Sequence, residues 1–320
     1  MLAGRRVAVH VCRAGGFPQR ARFEQQLLAI TASSSPTRPK VDSAFHPLYK
    51  SIVSHCCPPH EDGGIVHCAL KSPQFLVSDR EFPGSTGLLL KRPPFCPIKH
   101  LTAEQKASLP AETRRQGVDV GVAVLLESAS AKLLLTRRAR TLSLFPNTWV
   151  PPGGHIEPEE ELLGAGLREL REETGLQLKD GEFSWQLLAL WESVYPPRLS
   201  QGLPQRHHIV VYLHLALHES HRQLQARLKP NEAEVAAVAW LDRPTLASIA
   251  ATEGGAEGEA LGAGKGAPST VSILELEKGS AKTLVIPTAA FLATAQGENM
   301  ERVSSGTKYA LRQWLNMSSF

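Results

Sequence analysis

No run of eighteen apolar residues occurs in the 320-residue chain; the longest are short stretches such as Val120 to Leu126, which excludes a membrane-spanning helix. No cysteine lies beyond residue 96. The five present (Cys12, Cys56, Cys57, Cys68 and Cys96) are an odd number crowded into the first third. That argues against the disulfide framework of a secreted protein and for a reducing compartment. No acid precedes Glu24, whereas Arg5, Arg6, Arg13, Arg20 and Arg22 do. Such a start resembles a mitochondrial presequence, but Gly15, Gly16 and Pro18 would break the amphipathic helix that one needs. The expectation is a cytoplasmic protein, with mitochondrial import as the alternative. An internal repeat and the apolar core of a secretory signal are also lacking.

What the chain does have is globular composition, 42% hydrophobic and 21% charged, with length for one large domain or two ordinary ones. Its net charge of +4 hides an asymmetry. Residues 1–117 hold 16 Lys/Arg against 8 Asp/Glu, and the rest hold 19 against 23. The asymmetry reads either as an ordinary solvated surface or as a basic front that steers polyanions toward an acidic rear.

Residues 1–117 read as an irregular N-terminal module, rich in Pro, Ser and His from residue 31, with brief strands at Phe75–Val77 and Leu88–Leu90. Residues 118–250 read as a domain of strands with inserted helices. Val118–Leu126 and Lys132–Thr136 are two strands joined by a polar turn, and Thr148–Val150 is a third. A helix is predicted over Pro158–Glu173, with Pro158 at its first position and Gly175 as its stop. Strands follow at Trp185–Glu192, His208–Leu217 and Val235–Leu241, then a helix at Pro244–Ala251. Residues 251–270 form a Gly/Ala-rich flexible linker. Residues 271–320, with a strand at Thr283–Ile286 and a helix at Thr307–Leu315, pack back onto the domain. The class is α/β (α+β).

Several chemical signals do not hold together. His55, Cys56, Cys57, His60, His67 and Cys68 invite zinc, but no standard ligand spacing fits and the adjacent cysteines are awkward for tetrahedral ligation. Gly262 to Gly266 lacks the first glycine and the Ser/Thr of a P-loop. His207 and His208 flank a cleft or are simply exposed. Trp149, Trp185, Trp191 and Trp240 are core candidates, one of them a candidate for stacking on a base. Glu232 or Glu234 is a further acid offered from a loop.

The informative stretch runs from Gly154 to Leu176. Glu169, Glu172 and Glu173 sit at i, i+3 and i+4, which sets three carboxylates on one helical face. Like charges so placed repel, and the arrangement gains when a cation sits among them. Carboxylate oxygens are hard ligands and no His or Cys shares that face, so Mg²⁺ or Mn²⁺ is the natural guest. Arg168, four residues before Glu172, is close enough to orient a carboxylate by a charge-assisted hydrogen bond. The glycines that end Val150–Gly154 let backbone approach a metal or phosphate closely.

This stretch resembles the signature of the Nudix hydrolases, every fixed position of which is present: Gly154, Glu160, Arg168, Glu169, Glu172, Glu173 and Gly175, with Leu170 and Leu176 as its aliphatics. The resemblance implies a mixed sheet sandwiched between helices. It also implies attack of a metal-activated water on a phosphoanhydride of a nucleoside diphosphate linked to another moiety. By position, Glu169 and Glu173 are then the main metal ligands, Glu172 a third ligand or the base, and Gly154 a backbone carbonyl ligand. Arg168 and Glu160 complete the catalytic set, with Glu160 in second place. Gly164 and Gly166 each cost such a helix about 1 kcal/mol relative to Ala, a cost that close packing on a sheet would explain.

Family relatives include enzymes that remove the methylguanosine cap of RNA, and a basic half suits an RNA chain. Capped RNA is therefore the first expected nucleotide partner. The alternatives are a pyrophosphatase for ADP-ribose, coenzyme A or a dinucleoside polyphosphate, and a Nudix-fold module that binds without cleaving. A pure binder has no need of three mutually repelling acids.

Overall fold

The computed structural model, which describes residues 7–12, 19–21, 51–253, 266–277, 279–293 and 301–317, arranges its strands in one mixed sheet. The front third supplies β1 (Ala8–Cys12), β2 (Gln19–Arg20), α1 (Ile52–Cys56), β3 (Gly63–Lys71), β4 (Gln74–Ser78) and β5 (Thr86–Lys91). Three short helices follow: α2 (Pro97–His100), α3 (Ala103–Ser108) and α4 (Ala111–Arg115). The middle holds β6 (Asp119–Glu127), β7 (Lys132–Arg138), β8 (Thr148–Val150), β9 (Gly153–His155), α5 (Leu162–Thr174) and β10 (Phe183–Tyr195). Next come β11 (Arg206–Leu217), α6 (His221–Arg227), β12 (Val235–Asp242) and α7 (Arg243–Ala251). The chain ends with β13 (Thr270–Glu277), β14 (Ser280–Pro287), α8 (Ala289–Leu292), β15 (Arg302–Val303) and α9 (Ser305–Met317).

Strand β6 is apolar nearly throughout because both of its faces are covered. Side chains alternate across a strand, so Val120, Val122, Val124 and Leu126 enter one core while Ala123 and Leu125 enter the other. The parallel neighbour β11 divides the same way, with Ile209, Val211, Leu213 and Leu215 on the first side and Tyr212 on the second. Helix α5 covers the first core through Ala165 and Leu170. Helices α7 and α9 cover the second, chiefly with Leu246, Ile249, Tyr309, Leu311 and Trp314. The result is a mixed sheet between helices.

The strands expected at Phe75–Val77 and Leu88–Leu90 lie within β4 and β5, which run longer because they form a meander with β3. That meander joins the sheet at both ends: β5 pairs with β10, and β4 pairs with β1, which reaches β6. Val9, Val66, Phe75, Val77 and Leu90 are fully buried in the same core as α5. A buried carboxylate adds a second tie. Glu192 of β10, 0% exposed, accepts hydrogen bonds from His207 Nε2 at 2.7 Å and from the backbone N–H groups of Ile52 and Val53 at 2.7 and 3.0 Å.

Two expectations are corrected, and one strand is added. The box helix begins at Leu162 and not at Pro158, because Glu159 has φ 74°, outside the helical region, and Glu160 N–H closes a turn onto Glu157 O at 3.3 Å. Trp185 is 45% exposed and not core, since it lies near the outer end of β10 ahead of an irregularity at Leu187–Ala189. Strand β13, unforeseen, lies between β12 and the edge strand β14. The arginines before Val7 and the Gly262–Lys265 stretch lie outside the described residues. No helix among the described residues is long and apolar enough to cross a membrane.

Candidate functional site

Helix α5 is stopped by Gly175, whose φ of 75° is left-handed and whose N–H reaches Arg171 O at 2.8 Å. It sits close on the sheet because Gly166 lacks a side chain. A Cβ there would lie 2.9 Å from Leu213 Cδ1 and 3.1 Å from Val124 Cγ2. Gly164 faces open space, and nothing in the structure explains it.

Arg168 is the hub of the box. Its Nε and Nη2 grip both oxygens of Glu160 at 2.7 and 3.0 Å, and Nη2 also donates to His155 O at 2.8 Å. Its Nη1 donates to Glu169 at 2.8 Å and to Glu172 at 3.1 Å. Planar guanidinium geometry suits such forked contacts. The bonds from Glu160, and then from Glu169, hold the arginine's pKa above its ordinary value. Glu160 also accepts from Glu157 N–H at 3.0 Å, so it positions Arg168.

The three carboxylates differ sharply in burial. Glu172 is the most exposed, Glu169 is mostly covered, and Glu173 is buried. Glu173 accepts from Thr136 Oγ1 at 3.2 Å and from Gly153 N–H at 3.3 Å. Burial pushes its carboxyl up to about 8, and burial also raises that of Glu169. Gly154 lies in β9 opposite Val122 with its backbone against the Glu169 carboxylate, which any Cβ at that position would overlap.

The donor set here is oxygen alone, the chemistry of Mg²⁺ or Mn²⁺. The glycine cradle beside Glu169, together with two largely covered carboxylates whose ionised form a cation would favour, fits such an ion. Among the described residues no three His, Cys, Asp or Glu side chains converge as a metal cluster. Arg168 stands between Glu169 and Glu172, and Glu173 turns toward Thr136 and Gly153.

Beside the box a cavity of about 480 Å³ opens over the α9 side of the sheet. Gly153, Gly154 and His155 line it; the box glutamates do not. Its floor includes Ala123, Trp191, Val210 and Tyr212. Five cationic side chains line it (Arg138, Arg198, Arg206, Arg302 and Lys308) against one acid, Asp119. Arg198 stacks over the Phe95 ring at 4.2 Å, and Phe145 packs edge-on against Tyr195 at 5.1 Å.

Sequence reasoning missed Arg138, which links the two regions. It lines the cavity, and its charge acts on both Glu173 and Glu234. The signal was an Arg-Arg doublet ending an apolar strand, where alternation sends Arg137 to Glu275 and Glu301 and leaves Arg138 facing the other way. Of the two loop acids, Glu234 lies within electrostatic reach of Glu169, while Glu232 accepts from Gly279 N–H at 2.9 Å. His207 is buried against Glu192 and His208 lines the cavity, so neither is simply exposed. Trp191 is the tryptophan that reaches the cavity; Trp149 and Trp240 are core. His55, Cys56 and Cys68 are buried, and the zinc reading finds no cluster among the described residues.

The NUDIX domain family model matches residues 117–258. The chain is 51% identical to m7GpppN-mRNA hydrolase NUDT17 of Xenopus laevis over 269 residues, 83% of this chain and 88% of that one. It is 44% identical to the Danio rerio protein of the same name over 314 residues, 97% and 95% of the two chains. The Homo sapiens counterpart is 51% identical over 256 residues, 78% of this chain and 77% of its own.

Proposed function

The chain belongs to the NUDIX family, and from that premise we propose that it hydrolyses the methylguanosine cap of RNA, giving methylguanosine diphosphate and a 5′-monophosphate end. One observation carries the reading: the acidic box opens through Gly153–His155 into a cavity walled by five cationic side chains, a shape and charge for a nucleotide polyphosphate. The relatives named as cap hydrolases, similar over most of both chains, support the choice of substrate.

Glu169, Glu173, Glu172 and the Gly154 carbonyl would hold Mg²⁺ or Mn²⁺. When bound, the ion neutralises phosphate charge and makes a water acidic enough to attack. Arg168, anchored by Glu160, keeps the carboxylates in register. The exposed carboxylate of Glu172 accepts the proton as water oxygen bonds to phosphorus and the bridging P–O bond breaks. The cationic wall binds the non-reacting phosphates. Cys56, Cys57, Cys68 and Cys96 are free thiols, which suits a reducing compartment such as the cytoplasm.

The test is capped RNA in oxygen-18 water with Mg²⁺ or Mn²⁺, beside a panel of ADP-ribose, coenzyme A and dinucleoside polyphosphates. One product should carry the label after a single turnover, and methylguanosine diphosphate should appear. Glu172→Gln and Glu173→Gln should keep the fold and lose two or more orders of magnitude of rate, roughly 3 kcal/mol in the barrier. Parental rates in both variants, a free base, or turnover of the panel without capped RNA would overturn the reading.

A further inference from the structure

The C-terminal segment lies outside the NUDIX match, yet residues 302–308 form one wall of the cavity. The first turn of α9 meets its floor closely: a Cβ on Gly306 would lie 2.6 Å from Tyr212 Oη and 2.9 Å from Trp191 Cδ1. Ser304 caps the helix, its Oγ accepting from Thr307 N–H at 3.0 Å and its carbonyl from Lys308 N–H at 3.0 Å. The N–H groups of Ser305 and Gly306 come before any carbonyl of their own helix can reach them. They carry the positive end of a thirteen-residue helix dipole.

Lys308 is the second observation. It is only 6% exposed and lines the cavity, and its ammonium meets no hydrogen-bond acceptor or carboxylate among the described residues. The charge that acts on it is another cation, Arg302, which lines the same wall. Burial and then Arg302 hold the lysine down to about 8, and burial lowers Arg302 as well. A covered lysine without a counter-ion, beside an arginine and a helix N-terminus, is costly in an empty pocket and favourable around an anion.

We propose that the first turn of α9, with Lys308 and Arg302, is a subsite for a non-reacting phosphate of the substrate's polyphosphate bridge, a role that rests on the hydrolase reading above. Because the same cavity reaches Gly154, one substrate spans both sites: the box acts on one phosphorus while α9 holds a neighbouring phosphate. Specificity for a three-phosphate bridge over a two-phosphate one then resides partly in a segment that the family match does not include.

The subsite is tested first without turnover. Inorganic tripolyphosphate is titrated calorimetrically into the full chain with a chelator present, using the parent, Lys308→Met and Lys308→Arg. Lys308→Met should weaken binding tenfold or more and Lys308→Arg far less, while the melting temperature of Lys308→Met stays level or rises as an unpaired buried cation is removed. In steady state Lys308→Met should raise KM for a cap dinucleotide at least tenfold with kcat within twofold, and raise KM for ADP-ribose less. Unchanged tripolyphosphate affinity would overturn the subsite and leave the hydrolase reading standing. An effect confined to capped oligonucleotides would assign Lys308 to a downstream phosphodiester and overturn the bridge assignment. A parent that binds tripolyphosphate through Lys308 but cleaves no capped substrate would refute the hydrolase reading and not the subsite.

Discussion

The acidic helix and the cationic cavity carry opposite charges and are assembled in opposite ways. Glu160, Arg168, Glu169, Glu172 and Glu173 come from one turn and one helix, and Arg168 alone touches all of the others except Glu173. Arg138, Arg198, Arg206, Arg302 and Lys308 come from β7, the β10–β11 connection, the start of β11, β15 and α9. The acids are held by contacts among near neighbours in sequence. The cations are brought together by the sheet, and Arg138 is where the two regions meet. A local motif thus sets the acids in place, and long-range packing assembles the cationic surface beside them.

The severest way to break this comparison is to keep the motif and remove the packing. A chain of residues 117–258 retains every box residue but loses β1 to β5, β13 to β15 and α9. Each fully buried Val, Leu or Phe contributes roughly 1.5–3 kcal/mol, and a domain's net stability is only about 5–15 kcal/mol. With Phe75, Val77 and Leu90 gone from one core and Tyr309, Leu311 and Trp314 from the other, the fragment should not fold. Size-exclusion chromatography and near-ultraviolet circular dichroism decide it; a monomer with a cooperative melt would show that the matched stretch stands alone. For the same reason, deleting residues 1–117 should unfold the protein.

A smaller effect separates the acid geometry from stability. Gly154→Ala places a methyl on the Glu169 carboxylate, a side-chain end that can move aside, at a position without left-handed backbone. Hydrolysis should fall tenfold or more while the melting temperature changes little. A parental rate would show that the position of Glu169 beside Gly154 does not matter.

The smallest effect lies on the cavity side. His208 is held down to about 3, by burial first and then by His155 and His207. In an unfolded chain the same imidazole takes up its proton near about pH 6.5. Below that pH the unfolded state binds more protons, so stability falls as pH drops from about 6.5 toward 3. His208→Gln removes this contribution, and its melting temperature should decline less than the parent's between pH 7 and pH 5. Identical declines would show that His208 protonates freely in the fold.

Short-range physics made much of this legible. The alternation in β6 and β11, the three-carboxylate face, the Gly175 stop and the Arg168–Glu172 pairing all follow from periods of two and 3.6 residues. The start of α5 was misplaced because Pro158 suits a helix N-terminus by itself, whereas the positive φ of Glu159 is imposed by the turn that Glu160 closes. Strands β4 and β5 looked brief and β3 was not foreseen, because their outer residues are held by pairing within the meander and not by an apolar run of their own.

The sequence by itself determined the family, the acidic box and the apolar strands, because each is written in residues a few positions apart. Only the tertiary structure decided which carboxylate is buried, that Glu160 serves Arg168, and that Lys308 and Arg302 face a cavity shared with Gly154. Burial and the meeting of distant charges depend on how strands far apart in the chain pair, as Ala8 does with Asp119, and no local period encodes that.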